Sequence, residues 1–288
     1  MAGEQNKPGA QPHHHAHIGT ADQGAPIGQI ITVGLIVAVL GGGGLWYLNR
    51  KGEDNRLNTL FKSSEVRHIG TSNGQRGEVT LSDGSTLKIG PATQLTIIPN
   101  YNENFRGIMV DGTIAMDVKA SPGTPIEIRG GGGAMVLDEG SVVVRSYGDE
   151  GDATFKVISG KAVIRAKEAR REVTGPVTLY VSKDSVLSDA NPAKADLATS
   201  WATGKVEIKD TPLKEVLVLF NKYYALNLKV ADDALLTRSV TMEADLDSKQ
   251  KAIDALQAAA FVKFGYDGST PILRDDPAAA AKAAKAKK

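Results

Sequence analysis

The sequence predicts a mainly β fold that carries a small α+β module at its C-terminal end and is anchored by one transmembrane helix. Three observations predict it. An uncharged apolar run occupies residues 27–48, short β-type runs broken by turn residues fill the middle, and two amphipathic helical stretches flanked by strands fill residues 200–274. A chain of 288 residues has room for two modest domains besides an anchor and tails. Its formal net charge of +1 gives no reason to expect nucleic acid as a partner. It has no cysteine, which excludes disulfides, thiol catalysis and Cys-type zinc sites.

Residues 1–26 are rich in Gly, Pro, Gln and Ala without apolar periodicity and are expected to be disordered. Within them His13, His14, His15 and His17 are a candidate flexible metal cluster, weighed against a solvated or tag-like tract. At about 1.5 Å per residue, a helix over 27–48 crosses a bilayer core of about 30 Å. Trp46 and Tyr47 stand where an interfacial aromatic belt would, and Asn49, Arg50 and Lys51 end the run. No A-x-A-like site follows and the upstream stretch is poor in Lys and Arg, which favours a retained anchor over a cleaved signal peptide. Gly34, Ala38 and Gly42 form a small-xxx-small ridge through which two copies would pack as a homodimer. Arg50, Lys51, Arg56 and Lys62 follow the span, whereas Lys7 alone precedes it; by itself this bias puts the C-terminal part in the cytoplasm. Residues 49–65 read as a juxtamembrane segment.

Residues 66–188 read as strands at 78–81, 86–89, 94–98, 106–110, 113–118, 125–129, 141–145, 155–158, 161–165 and 176–181. Short strands at this spacing predict a β-sandwich, a barrel or a stacked sheet. In the first hairpin, a two-residue loop at Asp83-Gly84 sets apolar residues opposite polar ones. A three-residue loop, Asp83-Gly84-Ser85, pairs Leu81 with Leu87 and Val79 with Ile89. A one-residue slip reverses every side chain, so an odd loop or a bulge is predicted, with Asp83 and Ser85 as turn formers. Gly130 to Gly133 read as a hairpin loop rather than a phosphate cradle, because no Lys-Ser/Thr follows and the next run is β-like.

Residues 189–199 gather Ala, Asn, Pro and Asp and read as a linker. Residues 200–274 predict the order βαβ-βαββ, two helices on a sheet. Thr211 is the expected N-cap of the first helix, with Pro212 at its first position; Asp247 and Gln250 are an expected capping pair for the second. Trp201 reads as a core anchor. Tyr223 and Tyr224 read as core or interface residues and are the candidate partner contacts. Residues 275–288 read as a solvated Ala/Lys tail.

No catalytic constellation emerges, and the chain is expected not to be an enzyme and to need no cofactor. His68 is the one histidine outside the N-terminal tract. Asp111, Asp117, Glu127, Asp138 and Glu139 show no spacing that singles out an acid–base pair.

The ordered motifs carry a resemblance. Gly77-Glu78-Val79-Thr80-Leu81-Ser82-Asp83-Gly84-Ser85-Thr86-Leu87 is similar to the opening of FecR-type proteins, G-x-V-x-L-x-DGS-x-V. Arg106, Asp111-Gly112 and Met116-Asp117-Val118 resemble the stretch that follows. Pro125 to Ile128 and Ile158 to Val163, with Gly160, resemble two later strands. Trp201 to Lys205 and Thr211-Pro212-Leu213 resemble the family's C-terminal module, which is similar to the short N-terminal domain of secretins and TonB-dependent proteins. Asp83, Gly84, Ser85, Arg106, Gly112, Asp117, Gly160, Trp201 and Pro212 are thus the motif positions. The resemblance implies an inner-membrane regulator, N-terminus cytoplasmic and C-terminal region periplasmic, anchored in the lipid bilayer. It implies signals from a periplasmic protein partner such as an outer-membrane TonB-dependent transducer, iron transport among them, passed to a sigma factor. The chain departs from the family by having only the low-complexity tail where the helical sigma-binding domain stands, which weighs against direct sigma-factor contact. Thr113 also replaces the family's Glu, and 130–137 depart from its GT-x-F-x-V stretch. A structural scaffold subunit of a cell-envelope complex is the alternative expectation.

Overall fold

The computed structural model describes residues 55–286. The expected disordered tail with its histidines, the apolar run at 27–48 with Gly34, Ala38 and Gly42, and residues 49–54 lie outside the described residues. Among the described residues no helix is long and apolar enough to cross a membrane.

Alternating apolar residues build the strands β1 (Arg67–Gly70), β2 (Gly77–Thr80), β3 (Thr86–Ile89), β4 (Gln94–Ile97), β5 (Arg106–Val118), β6 (Ile126–Gly130), β7 (Gly133–Ser146), β8 (Ala153–Ala166), β9 (Ala169–Thr174), β10 (Val177–Val181) and β11 (Leu187–Asp189). The first half of β5 pairs with β4 and, in parallel, with β6; its second half pairs with β3 and β7. β7 and β8 divide themselves in the same way, their 133–137 and 162–166 halves pairing in one layer and their 140–146 and 154–160 halves in the other. Two layers result, β1-β4-β5-β6-β7-β8-β9 and β2-β3-β5-β7-β8-β10-β11, sharing three strands. Leu87, Leu95, Ile108, Ile114, Ile128, Val142, Phe155 and Leu179 belong to the one core between them.

The runs at 106–110 and 113–118 are therefore a single strand, and so are those at 155–158 and 161–165. Glycines make the bends: Gly112 has φ 136°, Gly140 137° and Gly160 92°. A Cβ at Gly112 would stand 2.3 Å from Thr93 Oγ1. One at Gly140 would stand 2.3 Å from the Ser159 carbonyl oxygen, and one at Gly160 2.4 Å from that of Glu139. No side chain fits where the strands change layers.

The first hairpin has the odd loop that alternation demands, placed one residue earlier than expected. Ser82, Asp83 and Gly84 form it; Leu81 N–H donates to the Ser85 carbonyl at 2.9 Å, Val79 faces Leu87, and Gly77 faces Ile89. Gly84, at φ 80°, takes the left-handed position that closes a three-residue loop. Gly131 and Gly132 form the expected hairpin turn between β6 and β7, with φ 51° and 74°.

Residues 189–199 are not a linker. β11 ends at Asp189 and α2 (Pro192–Thr199) follows, burying Ala195, Ala198 and Thr199 against β7, β8 and the next strand. That strand is β12 (Lys205–Pro212), followed by α3 (Leu213–Tyr224), β13 (Lys229–Val230), β14 (Ser239–Asp245), α4 (Lys249–Ala260), β15 (Val262–Asp267) and β16 (Thr270–Asp275). The order βαβ-βαββ holds, but the strands form two sheets, β12-β14 and β13-β16-β15, rather than one. Val216, Phe220, Val240, Leu256 and Leu273 unite both sheets and both helices in a second core. Thr211 is no N-cap: it stays in β12 opposite Val240, and Pro212 is the extended residue before the helix. For α4 the Ser248 hydroxyl accepts from Lys251 N–H, while Gln250 donates to Asp254 instead of pairing with Asp247.

Both ends of the described chain are helical, the C-terminal one where a solvated Ala/Lys tail was expected. Good helix formers follow Asp276, whose carboxylate accepts from Ala279 N–H at 3.1 Å, and α5 (Pro277–Ala286) results. Residues 55–61, part of the juxtamembrane segment, form the first helix, α1, with Leu57 buried. It packs on the sandwich at Gly107, where a Cβ would meet Phe61 Cζ at 3.1 Å and Leu57 Cδ2 at 3.3 Å.

Candidate functional site

Three motif residues, two from the first hairpin and one from β5, meet in one buried knot. β5 brings Arg106 under the first hairpin, where its side chain is fully enclosed and its guanidinium donates to Asp83 Oδ2 at 3.0 Å. The same guanidinium donates to the carbonyls of Lys119 at 2.7 Å, Thr124 at 2.6 Å and Asp138 at 3.0 Å. Asp83 also accepts from Ser85 N–H and Oγ, each at 2.9 Å, and from the Tyr101 hydroxyl at 3.0 Å. Ser85 Oγ in turn accepts from Lys119 N–H at 2.9 Å. Burial works against the Asp83 carboxylate, yet Ser85, Arg106 and Tyr101 together hold its pKa below the ordinary value. Burial, with the Asp83 charge beside it, pushes the Tyr101 phenol up. Asp83, Ser85 and Arg106 thus clamp loops and are closed off from any substrate.

The other motif positions are structural too. Gly112 and Gly160 are layer crossings. Asp117 accepts from Ser141 Oγ at 2.5 Å on the surface. Trp201 lies in the second core. Thr113 is buried and donates to the Val144 carbonyl at 3.2 Å, in a threonine ladder with Thr93 and Thr71. The structure places Tyr223 inside the second core, 5% exposed, rather than on a surface that a partner reaches. Tyr224 is half-buried, edge-on to Phe220 at 5.5 Å. Of the carboxylates considered as acid–base pairs, Glu127 is held by Arg129 and Arg165, and Asp111 accepts from Gly148 N–H. His68 is exposed beside Thr96, and among the described residues no group of His, Cys, Asp and Glu has a metal-holding arrangement.

The residues that sequence reasoning missed join the sandwich to the C-terminal module. Lys222 of α3 reaches Glu150 Oε1 at 2.9 Å and Asp149 Oδ1 at 3.1 Å, and its ammonium stands 3.5 Å from the centre of the Tyr147 ring. Arg145 holds Glu150 from the other side through both carboxylate oxygens. Burial opposes the Glu150 charge, but Arg145 and Lys222 outweigh it and hold its carboxyl below the usual range. The Tyr147 hydroxyl donates to the Pro91 carbonyl at 2.8 Å, and burial pushes that phenol up to about 12. Gly74 N–H donates to the Lys222 carbonyl at 2.7 Å, and Arg76 pairs with Asp247 at 2.8 Å. Beside this joint, Asp152, Tyr180, Leu197, Glu215 and Val218 line a cleft of about 300 Å³. Nothing local in the sequence links residue 150 with residue 222, so only the fold reveals the pair.

Comparison with known proteins finds likenesses for part of this arrangement. No curated protein matches the chain significantly. Two crystal structures of a "putative anti-sigma factor" from Parabacteroides distasonis ATCC 8503, at 2.50 and 1.65 Å resolution, match it in fold. Each has 18% sequence identity and a TM-score of 0.64, with the match covering 73% of this chain and 99% of that one. The family model of the FecR protein matches residues 67–163, the stretch that holds the Asp83–Arg106 knot and all three glycine bends. Residues 67–163 of this chain are a FecR domain.

Proposed function

We propose that this chain is a membrane-anchored regulator acting by protein–protein contact, without an enzymatic activity of its own. In this reading residues 27–48 span the inner membrane with the N-terminus in the cytoplasm. The FecR domain and the C-terminal module stand in the periplasm and receive a signal from an envelope partner. A FecR domain joined to an α+β module, in a fold shared with proteins named as anti-sigma factors, is the observation that carries the reading. Sigma-factor regulation is its downstream end. The burial of Asp83, Ser85 and Arg106 supports a scaffold whose exposed elements do the recognising. Strand β15 is suited to that role: among the described strands it pairs with β16 alone, although Phe264 N–H donates to Gln257 Oε1 at 2.8 Å, and Tyr266 on it is 63% exposed, edge-on to Phe264 at 5.3 Å. Protease added to spheroplasts is expected to degrade residues 60–288 while the same fragment survives in intact cells. A fragment that resists in spheroplasts until the membrane is dissolved sinks the periplasmic reading.

A further inference from the structure

One face of the sandwich carries chemistry that the reading above does not use. Arg129 fastens α1 to it, donating to Asn58 Oδ1 at 2.5 Å and lying 4.9 Å from the centre of the Phe61 ring. The guanidinium groups of Arg129 and Arg165 hold the buried Glu127 carboxylate at 2.5 and 2.6 Å. Beside them Arg56 and Lys62 are exposed, and among the described residues neither has an ion-pair partner; Arg67, opposite Ile97, belongs to the other side of the sheet. Residues 49–70 contain Arg50, Lys51, Arg56, Lys62 and Arg67 against the carboxylates of Glu53, Asp54 and Glu65. Met109, opposite Arg129 in the pairing of β5 with β6, is 40% exposed on the same face. The patch is thus basic, with one apolar side chain in it.

Chain length decides what such a patch meets. Only residues 49–54 separate the end of the apolar run from α1, about 20 Å of chain even when fully extended. Resting on the reading of 27–48 as an anchor, we infer that the α1 face of the sandwich lies against the bilayer and binds anionic phospholipid headgroups through Arg56 and Lys62. Basic side chains held close to an anionic surface gain from its potential, and the gain fades within a Debye length. The inference holds for either leaflet. It also gives the cations that follow the span a role apart from orientation.

The test uses the full chain in nanodiscs of phosphatidylcholine, with and without phosphatidylglycerol. The chain has no cysteine, so Thr59→Cys on the exposed side of α1 takes a single spin label, with Tyr266→Cys as the control in the C-terminal module. With phosphatidylglycerol the label at Thr59→Cys is expected to lose contact with a water-soluble paramagnet several-fold, and the Tyr266→Cys label to keep it. Added salt should reverse the loss. Combined Arg56→Gln and Lys62→Gln should abolish it, and Arg56→Lys with Lys62→Arg should retain it. Equal exposure in both lipids, or protection that survives the double Gln variant, overturns the inference while leaving the anchor standing. A chain that fails to enter the discs removes the anchor and the inference together.

Discussion

Asp83 and Arg106 show how much a single buried pair can organise. The guanidinium serves four acceptors at once, a load that the point charge of a lysine cannot carry. Arg106→Met leaves the Asp83 charge buried without its cation and is expected to cost about 3–5 kcal/mol of stability. Urea unfolding followed by circular dichroism measures it, and Arg106→Lys should recover only part of the loss. Because the native Asp83 pKa lies below its ordinary 3.8, its contribution is complete above that value. It drains away as pH falls from there through the lower native value. The urea midpoint of the wild type should therefore drop over that acid range, and Asp83→Asn should lack this part of the drop. The sequence marks Asp83, Gly84 and Ser85 as turn formers from local chemistry alone. It gives no sign that Tyr101 and Arg106 complete the knot, because their shared partner lies 18 and 23 residues away.

The long strands behave as elements that turn corners. Gly112, Gly140 and Gly160 look like loop residues in the sequence, because a glycine between two short apolar runs reads as the gap between strands. Here each glycine lets one strand cross between layers. Gly140→Ala adds a Cβ 2.3 Å from a carbonyl oxygen at φ 137° and is expected to cost about 1–3 kcal/mol from the backbone conformation, with the clash added to it. Gly123→Ala, at positive φ with nothing within 4 Å, should cost only the backbone strain, and a thermal melt of the pair separates the two contributions. Alternation fixes the parity of the first hairpin, since Val79 must face an apolar residue, but not whether the loop starts at Ser82 or Asp83. α2 and α5 escape sequence reading for a different reason. α2 lacks an apolar stripe and α5 has only alanines for one, so a neighbouring surface or a cap residue decides their helicity.

Over the whole molecule, Lys222 joins the sandwich to the module that follows it. Its ammonium contacts two carboxylates and an aromatic face, so Lys222→Met is expected to loosen the joint by about 1–3 kcal/mol. Calorimetry should then show two transitions where the wild type shows one, and a double-mutant cycle with Glu150→Gln should give a non-zero coupling. This joint is the least legible feature in the sequence, being made by residues 72 and 73 positions apart. The change from strands to mixed helix and strand is legible, because periodicity changes from two to 3.6 near residue 211. The shared strands have a mechanical consequence. β5, β7 and β8 each run unbroken through both layers, so the layers cannot slide over one another without tearing backbone ladders. A push delivered to the module at one side must move the sandwich as a single block, and α1, clipped to that block through Arg129, is carried along with it.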